Sequence, residues 1–389
     1  MKNIVNNAFT ENKIQLIQSG KPYFNLLLKL IAEATSSIHI QTYIFNDDET
    51  GESIVKALKI ASQKKVKIHL LVDGYASKNL SETFIENLKK ETIEFRFFKP
   101  FFKNNNFYFG RRLHHKMIVV DAKYAIVGGM NIADRYNECP NIKAWIDFAV
   151  FLEGPIAKEL CILCWKTWNG FKISNPSTFH EEKNTQFTFN ENETSLCRIR
   201  RNDWVRTKNE ISISYQEMFK NAEKQITIIC SYFIPGDKAR KLLEYAVNKG
   251  IKVRLILASQ SDVPIAKSAE RWMYDWLLRK NIEIYEYQPT VLHAKMCVVD
   301  ESLVTIGSYN INNISAYASI ELNIDIEDVN FAKKVTQTLD TIIKDDCIQV
   351  TNEVYLKTNT VFKRFYHWAC YRIFRIAFFL CTFYFKQQE

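Results

Sequence analysis

At 389 residues, 47% of them hydrophobic, the chain exceeds one minimal domain and can bury sizeable cores, so two similar domains fit its length. A formal net charge of +9 points to an anionic partner, and anionic membrane and nucleic acid both fit. The nine cysteines are odd in number, and the C-x-x-C at Cys161 and Cys164 has no second pair or histidine at zinc spacing, which argues against a disulfide framework or zinc site and for reduced packing residues in a reducing compartment.

Residues 1–10 are polar and lack the apolar stretch of a signal peptide. Residues 23–34 are apolar at helical spacing, and residues 37–45 (SIHIQTYIF) read as a buried strand. A loop at 46–51 precedes a helix over 52–64. A second strand over 66–72 ends at Asp73-Gly74, and a helix around 84–90 leads to a third strand over 93–98. This β-α-β-α-β series predicts a layered α/β domain.

The next phrase is Leu113-His114-His115-Lys116-Met117-Ile118-Val119-Val120-Asp121, followed by Gly128-Gly129-Met130-Asn131. The chain contains it again as Leu292-His293-Ala294-Lys295-Met296-Cys297-Val298-Val299-Asp300, followed by Gly307-Ser308-Tyr309-Asn310. Both copies read His-x-Lys-x4-Asp, with the same step from Asp to Gly. Alternate side chains of a strand share a face, so His114 should project with Lys116 and His293 with Lys295, while His115 points away. A histidine beside a fixed cation suits attack on a phosphorus that carries anionic oxygens. Gly129, Ser308, Asn131 and Asn310 stand where the turns can supply further donors to those oxygens. With two copies facing each other, one histidine attacks and the other protonates the leaving oxygen, and no metal or other cofactor is needed. Asp121 and Asp300 complete the motif set. They fall on the opposite strand face and are expected to fix the strand–loop junction.

The domain itself recurs. Residues 51–74 align without gaps to residues 236–259, placing Leu58, Ala61, Val66, Leu70 and Leu71 opposite Leu243, Ala246, Ile251, Leu255 and Ile256. That is duplication of a whole domain rather than a short repeat. The step from Pro100 to His114 is longer than that from Pro289 to His293. The extra residues include Phe101, Phe102, Lys103, Phe107, Tyr108, Phe109, Arg111 and Arg112, an aromatic-basic loop that either lines the mouth of the site or packs on itself. Residues 171–202 are rich in Asn, Thr, Ser and Glu and read as a linker, with a strand at 195–200. Asp262 and Pro264 are expected to cap and open a helix running to about Lys280. The expected division is a first domain at 1–170, a linker at 171–205, a second domain at 206–350 and a tail at 351–389. His39, His69, His180 and His367 have no counterpart in the other half and read as structural or exposed.

Residues 361–385 (VFKRFYHWACYRIFRIAFFLCTFYF) are aromatic-rich and carry no acidic residue. Arg372 and Arg375 interrupt what would otherwise be long enough to span a bilayer. On a helix Arg364, Arg375 and Lys386 superimpose, and Arg372 falls within about 80° of Arg364, so the cations share one face. That is the pattern of a helix lying in the headgroup layer; the alternative is a helix docked on its own protein or on a second subunit.

The paired phrases resemble the two signature motifs of the phospholipase D superfamily. Arg112-Leu113-His114-His115-Lys116, with Gly128-Gly129-Met130-Asn131-Ile132-Ala133-Asp134, is similar to its bacterial cardiolipin synthase branch. The likeness spans roughly residues 31–325. It implies two pseudo-symmetric α/β sandwich domains with one shared active site. It also implies a supporting carboxylate downstream of each motif, to hold the second ring nitrogen of the histidine; the candidates are Asp147 and Glu321.

As activity it implies a phosphatidyltransferase. His114 attacks the phosphorus of phosphatidylglycerol, His293 protonates the departing glycerol and then deprotonates the hydroxyl of a second lipid, and Lys116, Lys295, Asn131 and Asn310 hold the phosphate oxygens. Pseudo-symmetry permits the reverse order of the histidines. The expected partners are an anionic phospholipid and the cytoplasmic surface of a bacterial-type cell membrane, with no nucleic acid. A lipid hydrolase or a phosphatidylserine-type synthase differs only in the acceptor. A nuclease is permitted by the charge but opposed by the tail, and a non-catalytic scaffold is opposed by two intact motifs. Two departures stand out: no N-terminal membrane spans precede the first domain, and Gly129 stands where the second motif has Ser308.

Overall fold

The computed structural model describes residues 8–90, 92–98, 111–140, 143–171, 187–189 and 193–386. The aromatic-basic loop up to residue 110, most of the linker with His180, and the Lys386 side chain lie outside the described residues. The chain forms two compact units. The first comprises residues 1–107, 112–199 and 322–326; the second comprises residues 108–111, 200–321 and 327–389.

The first unit opens with β1 (Thr10–Gln18) and α1 (Lys21–Glu33), then β2 (Ser37–Thr42), α2 (Glu49–Gln63), β3 (Lys67–Asp73), α3 (Glu82–Lys90) and β4 (Glu94–Phe98). It continues through β5 (Arg112–Leu113), β6 (Lys116–Val120), β7 (Tyr124–Gly128), β8 (Phe148–Glu153) and α4 (Pro155–Trp168). β2, β3 and β4 run parallel. On the other side of β2 the sheet continues antiparallel through β6, β7, β8 and β1. β1 adds a strand to the expected series; its residues alternate only weakly between polar and apolar.

Alternation within β2 sorts its side chains between two layers. Ile38 and Ile40 join Leu27, Ile31, Ile54 and Leu58 of α1 and α2 in one core. On the other face Gln41 donates to the carbonyl of Cys164 on α4 at 2.9 Å, and His39 meets the Trp165 ring. The first unit is thus a helix–sheet–helix sandwich.

The second unit repeats the pattern. β9 (Ser195–Asp203) runs across the boundary between the units, followed by β10 (Lys208–Asn209), α5 (Glu210–Asn221), β11 (Gln225–Cys230), α6 (Asp237–Asn248), β12 (Lys252–Ala258), α7 (Pro264–Arg279) and β13 (Glu283–Tyr287). Next come β14 (Lys295–Val299), β15 (Leu303–Gly307), α8 (Asn313–Tyr317), β16 (Ser319–Glu327), α9 (Val329–Asp346), β17 (Cys347–Val350), α10 (Asn352–Thr358) and α11 (Val361–Lys386). β11, β12 and β13 are parallel, and β14 and β15 follow antiparallel beside β11. One core gathers Ile226, Ile228, Leu243, Leu255 and Leu277, while the opposite face carries Arg254, which ion-pairs with Asp340 of α9 at 2.6 Å.

One expectation changes here. Asp262 does not cap α7: Val263 occupies the cap position, so Asp262 lies one residue too early to reach the first-turn N–H groups, and it accepts a hydrogen bond from the Tyr232 hydroxyl instead. α11 is docked and exposed at once. Cys370, Tyr371 and Phe374 pack with Ile234 and with Ala269 of α7, whereas Phe362, Phe365, Ile373 and Ile376 stand 89%, 66%, 59% and 56% exposed. No helix among the described residues is long and apolar enough to cross a membrane.

His39 is a weak point in the α4-facing layer of the first unit. It is buried, stacks on His69 with centroids 4.8 Å apart, and neither of its ring nitrogens has a hydrogen-bond partner among the described residues. Burial, reinforced by His69, lowers its pKa to about 3. The unfolded chain therefore takes up a proton below about pH 6.5 that the folded chain refuses, so stability is lost as pH falls from there toward 3, by at most about 1.4 kcal/mol per pH unit. His39→Leu should flatten this limb. Urea midpoints between pH 7 and pH 4.5 should fall less steeply for the variant than for the parent.

Candidate active site

Each motif strand is fixed at its end by its aspartate. Asp121 accepts the backbone N–H groups of Thr35, Ser36 and Ser37 at 2.8, 2.8 and 2.9 Å, where β2 begins. Asp300 does the same for Glu223, Lys224 and Gln225 at 2.8, 2.8 and 2.9 Å, where β11 begins. Burial works to raise the Asp121 pKa, but the bonds from Ser37, Ser36 and Thr35 outweigh it and leave it below the usual carboxylate value. Both aspartates and the residues after them have positive φ: 54° and 45° at Asp121 and Ala122, 53° and 50° at Asp300 and Glu301. Two successive left-handed residues make the tight turn that suits a twisted hairpin, and a short polar side chain tolerates that conformation best.

His114 and His293 sit just before β6 and β14 rather than inside them, and the lysines are the first residues of those strands. Sheet pairing to β2 begins at Met117, so His114 is left to the preceding turn, where its N–H bonds the Arg112 carbonyl at 3.0 Å. The lysine nevertheless meets its histidine in both copies. Lys116 Nζ donates to the carbonyl of His114, and Lys295 Nζ donates to the carbonyl of His293 and lies 3.0 Å from its Nδ1. Both lysines are buried, at 3% and 1% exposure. The Tyr43 ring stands edge-on to the His114 ring at 4.8 Å and receives the Lys116 ammonium over its face at 5.1 Å. His115 turns the other way, its Nε2 2.9 Å from Gln41 Oε1.

The turns carry the remaining candidates. Asn131 Oδ1 accepts the N–H of Ile44 at 3.0 Å and its Nδ2 donates to the Tyr136 hydroxyl at 2.8 Å. Asn310 Oδ1 accepts from Ser231 Oγ at 2.7 Å. A wholly buried carboxylate underlies each turn. Glu321 accepts from the hydroxyls of Ser308 and Ser319. Asp147 accepts from the N–H of Phe148 at 2.8 Å, and both its oxygens come within 2.5 Å of where a Cβ on Gly129 would stand. This accounts for the departure at Gly129: the space that holds the Ser308 side chain in the second motif is filled by the Asp147 carboxylate in the first.

Sequence spacing marks Asp73 only as a strand end, yet it supports the site. It is fully buried and accepts the N–H groups of Leu113, Tyr75 and Ala76 at 2.9, 2.9 and 3.1 Å, with Arg112 Nη1 3.8 Å away. It therefore holds the residue immediately before His114. Burial raises its pKa, against the pull of those bonds and of Arg112. The duplication gives no hint of it, because Ala258 stands opposite in the gap-free alignment.

Residues 27–142 and 215–343 match the family described as cardiolipin synthase, PLD-like domain, and the matched segments contain the first and second motifs. The chain belongs to the cardiolipin synthase branch of the phospholipase D superfamily. It is 31% identical to cardiolipin synthase B of Escherichia coli O6:H1 over 87% of this chain and 82% of that one. It is 28% identical to a probable cardiolipin synthase of Bacillus subtilis over 87% of this chain and 67% of that one. Among solved structures, phosphatidylserine synthase of Haemophilus influenzae shares the fold, with a TM-score of 0.71, 13% identity and 90% of each chain covered.

A side chain at position 129 should be poorly tolerated. Gly129→Ala drives a Cβ into the Asp147 carboxylate, and overpacking of this kind costs about 1–3 kcal/mol. A lower urea midpoint together with slower turnover is the expected result, and an unchanged midpoint would count against the close approach.

Proposed function

We propose that this phospholipase D-family enzyme is a phosphatidyltransferase that makes diphosphatidylglycerol from two molecules of phosphatidylglycerol. The observation that carries the reading is the duplicated pair of a histidine with a buried lysine against it, in a chain related to cardiolipin synthases over most of its length.

In the proposed course His114 attacks phosphorus, a nitrogen–phosphorus bond forms and the phosphorus–oxygen bond to glycerol breaks, while His293 gives its proton to the departing glycerol oxygen. The hydroxyl of the second phosphatidylglycerol then passes its proton to His293 and attacks phosphorus, releasing His114. Lys116 and Lys295 offset the charge on the phosphate oxygens where burial keeps water from screening them. Asn131 and Asn310 orient those oxygens, and Asp147 and Glu321, buried beneath the turns, hold the second ring nitrogens of the histidines. Asp121 and Asp300 act at a distance, by fixing the strands.

The exposed face of α11 supports a peripheral membrane location. Phe362, Phe365, Ile373 and Ile376 present an apolar ridge, and at about 100° per residue Arg372 lies along its flank, where anionic headgroups would meet it.

Membranes containing the enzyme, given labelled phosphatidylglycerol, should yield diphosphatidylglycerol and free glycerol. Phosphatidic acid as the main product would instead make it a hydrolase. His114→Ala and His293→Ala should each reduce turnover by several orders of magnitude, and a parental rate in either would remove that residue from the chemistry. The double variant Phe365→Glu, Ile373→Glu should no longer float with anionic vesicles in a sucrose gradient; co-flotation at the parental level would exclude α11 as the membrane contact.

A further inference from the structure

A cavity of about 310 Å³ lies within the second unit among α5, α6, α8 and α11. None of His293, Lys295, Ser308 or Asn310 lines it. Tyr309 does line it, with its hydroxyl 3.2 Å from Ser212 Oγ and its ring 5.7 Å from that of Tyr215. Asn313 and Tyr317 of α8 contribute an amide and a phenol. The cations on its wall are Lys238 of α6 and Arg375 of α11; the carboxylate is Asp237, which faces Arg240 at 3.6 Å.

We infer that this cavity holds the phosphate headgroup of a second, non-reacting anionic phospholipid. The inference rests on the membrane reading of α11. Two cations against one carboxylate that already has a guanidinium beside it leave the wall net positive, and the hydroxyls and amides around it can donate to phosphate oxygens. The volume is at the lower end for ligand pockets, enough for a glycerophosphate group but not for acyl chains. The chains have the exposed ridge of α11 to follow, with Ile376 about 100° round the helix from Arg375 on the wall. A headgroup seated here bridges α11 to α8, and α8 follows directly on the turn that carries Ser308 and Asn310. The lipid is thus a structural ligand of the second motif's support and not its substrate.

Phosphatidic acid carrying its photoactivatable group on the glycerol backbone, in phosphatidylcholine vesicles, tests this with the full chain, since phosphatidic acid has no second ester for the motifs to cleave. Mass spectrometry of the labelled protein should place adducts on residues 212–219 of α5 and 312–317 of α8, in addition to the ridge of α11. Ala316→Trp, which fills the cavity, should remove the α5 and α8 adducts and leave those on the ridge. Arg375→Gln, with an unchanged melting curve by circular dichroism, should reduce them several-fold. Adducts on the ridge alone would overturn the cavity assignment while leaving the membrane reading in place, and no adducts at all would overturn both. If soluble glycerol 3-phosphate abolishes the α5 and α8 adducts, the cavity takes free phosphate esters and the lipid assignment falls.

Discussion

The hydrogen bonds from three successive backbone N–H groups to one aspartate, made once in each unit, are what the rest of the molecule depends on. Asp121 ties the end of β6 to the start of β2, and Asp300 ties the end of β14 to the start of β11. Shifting either strand by one residue would exchange its two faces. His115 would then take the position of its neighbours, and the lysine would lose its contact with the histidine. The carboxylate that looks remote from the chemistry therefore sets which side chains face it. Its left-handed backbone also explains why the motif ends on a short polar residue, because a β-branched one would be strained there.

The two copies reach similar ends by different means. In the first, Asp73 grips the residue before His114 and Tyr43 lies against both His114 and Lys116. In the second, Ala258 stands where Asp73 would be, and Lys295 reaches the ring nitrogen of His293 directly. Beneath the turns the pairs also differ: a shorter carboxylate lies against a glycine in one unit, and a longer one bonds a serine in the other. Such paired differences are what a duplicated domain accumulates when each half must keep its buried charge satisfied but has its own neighbours.

The motifs, the duplication and the α/β alternation are legible in the sequence because each rests on local spacing. Ile38 and Ile40 against His39 and Gln41 mark the two faces of β2 by their order in the chain alone. Features that depend on residues distant in the chain are not legible in this way. Asp73 bonds to Leu113 across a long insertion, and the space beside Gly129 is taken by Asp147. Asp262 matches the composition of a cap, but the helix starts one residue later than that role requires, a distinction set by how Pro264 enters α7. His114 lies outside the strand that alternation assigns it to, since alternation gives the side a residue faces but not where pairing with a neighbour begins.

The tail shows how a sequence pattern can be correct yet incomplete. A stripe of cations on an apolar helix predicts an interfacial element, but it does not reveal that a third face, through Cys370, is already buried against α7. That docking matters for the site. On α7, Glu270 accepts the N–H of Phe233 at 2.9 Å and pairs with Lys267 at 2.7 Å. Two residues before Phe233, Ser231 bonds Asn310 through its hydroxyl and the carbonyl of Ala294, next to His293, through its N–H. The helix with the exposed apolar ridge is thus packed, through buried apolar contacts, onto the element that braces the second motif by hydrogen bonds. Any ligand that holds the ridge in place therefore holds a helix packed on the support of the second motif.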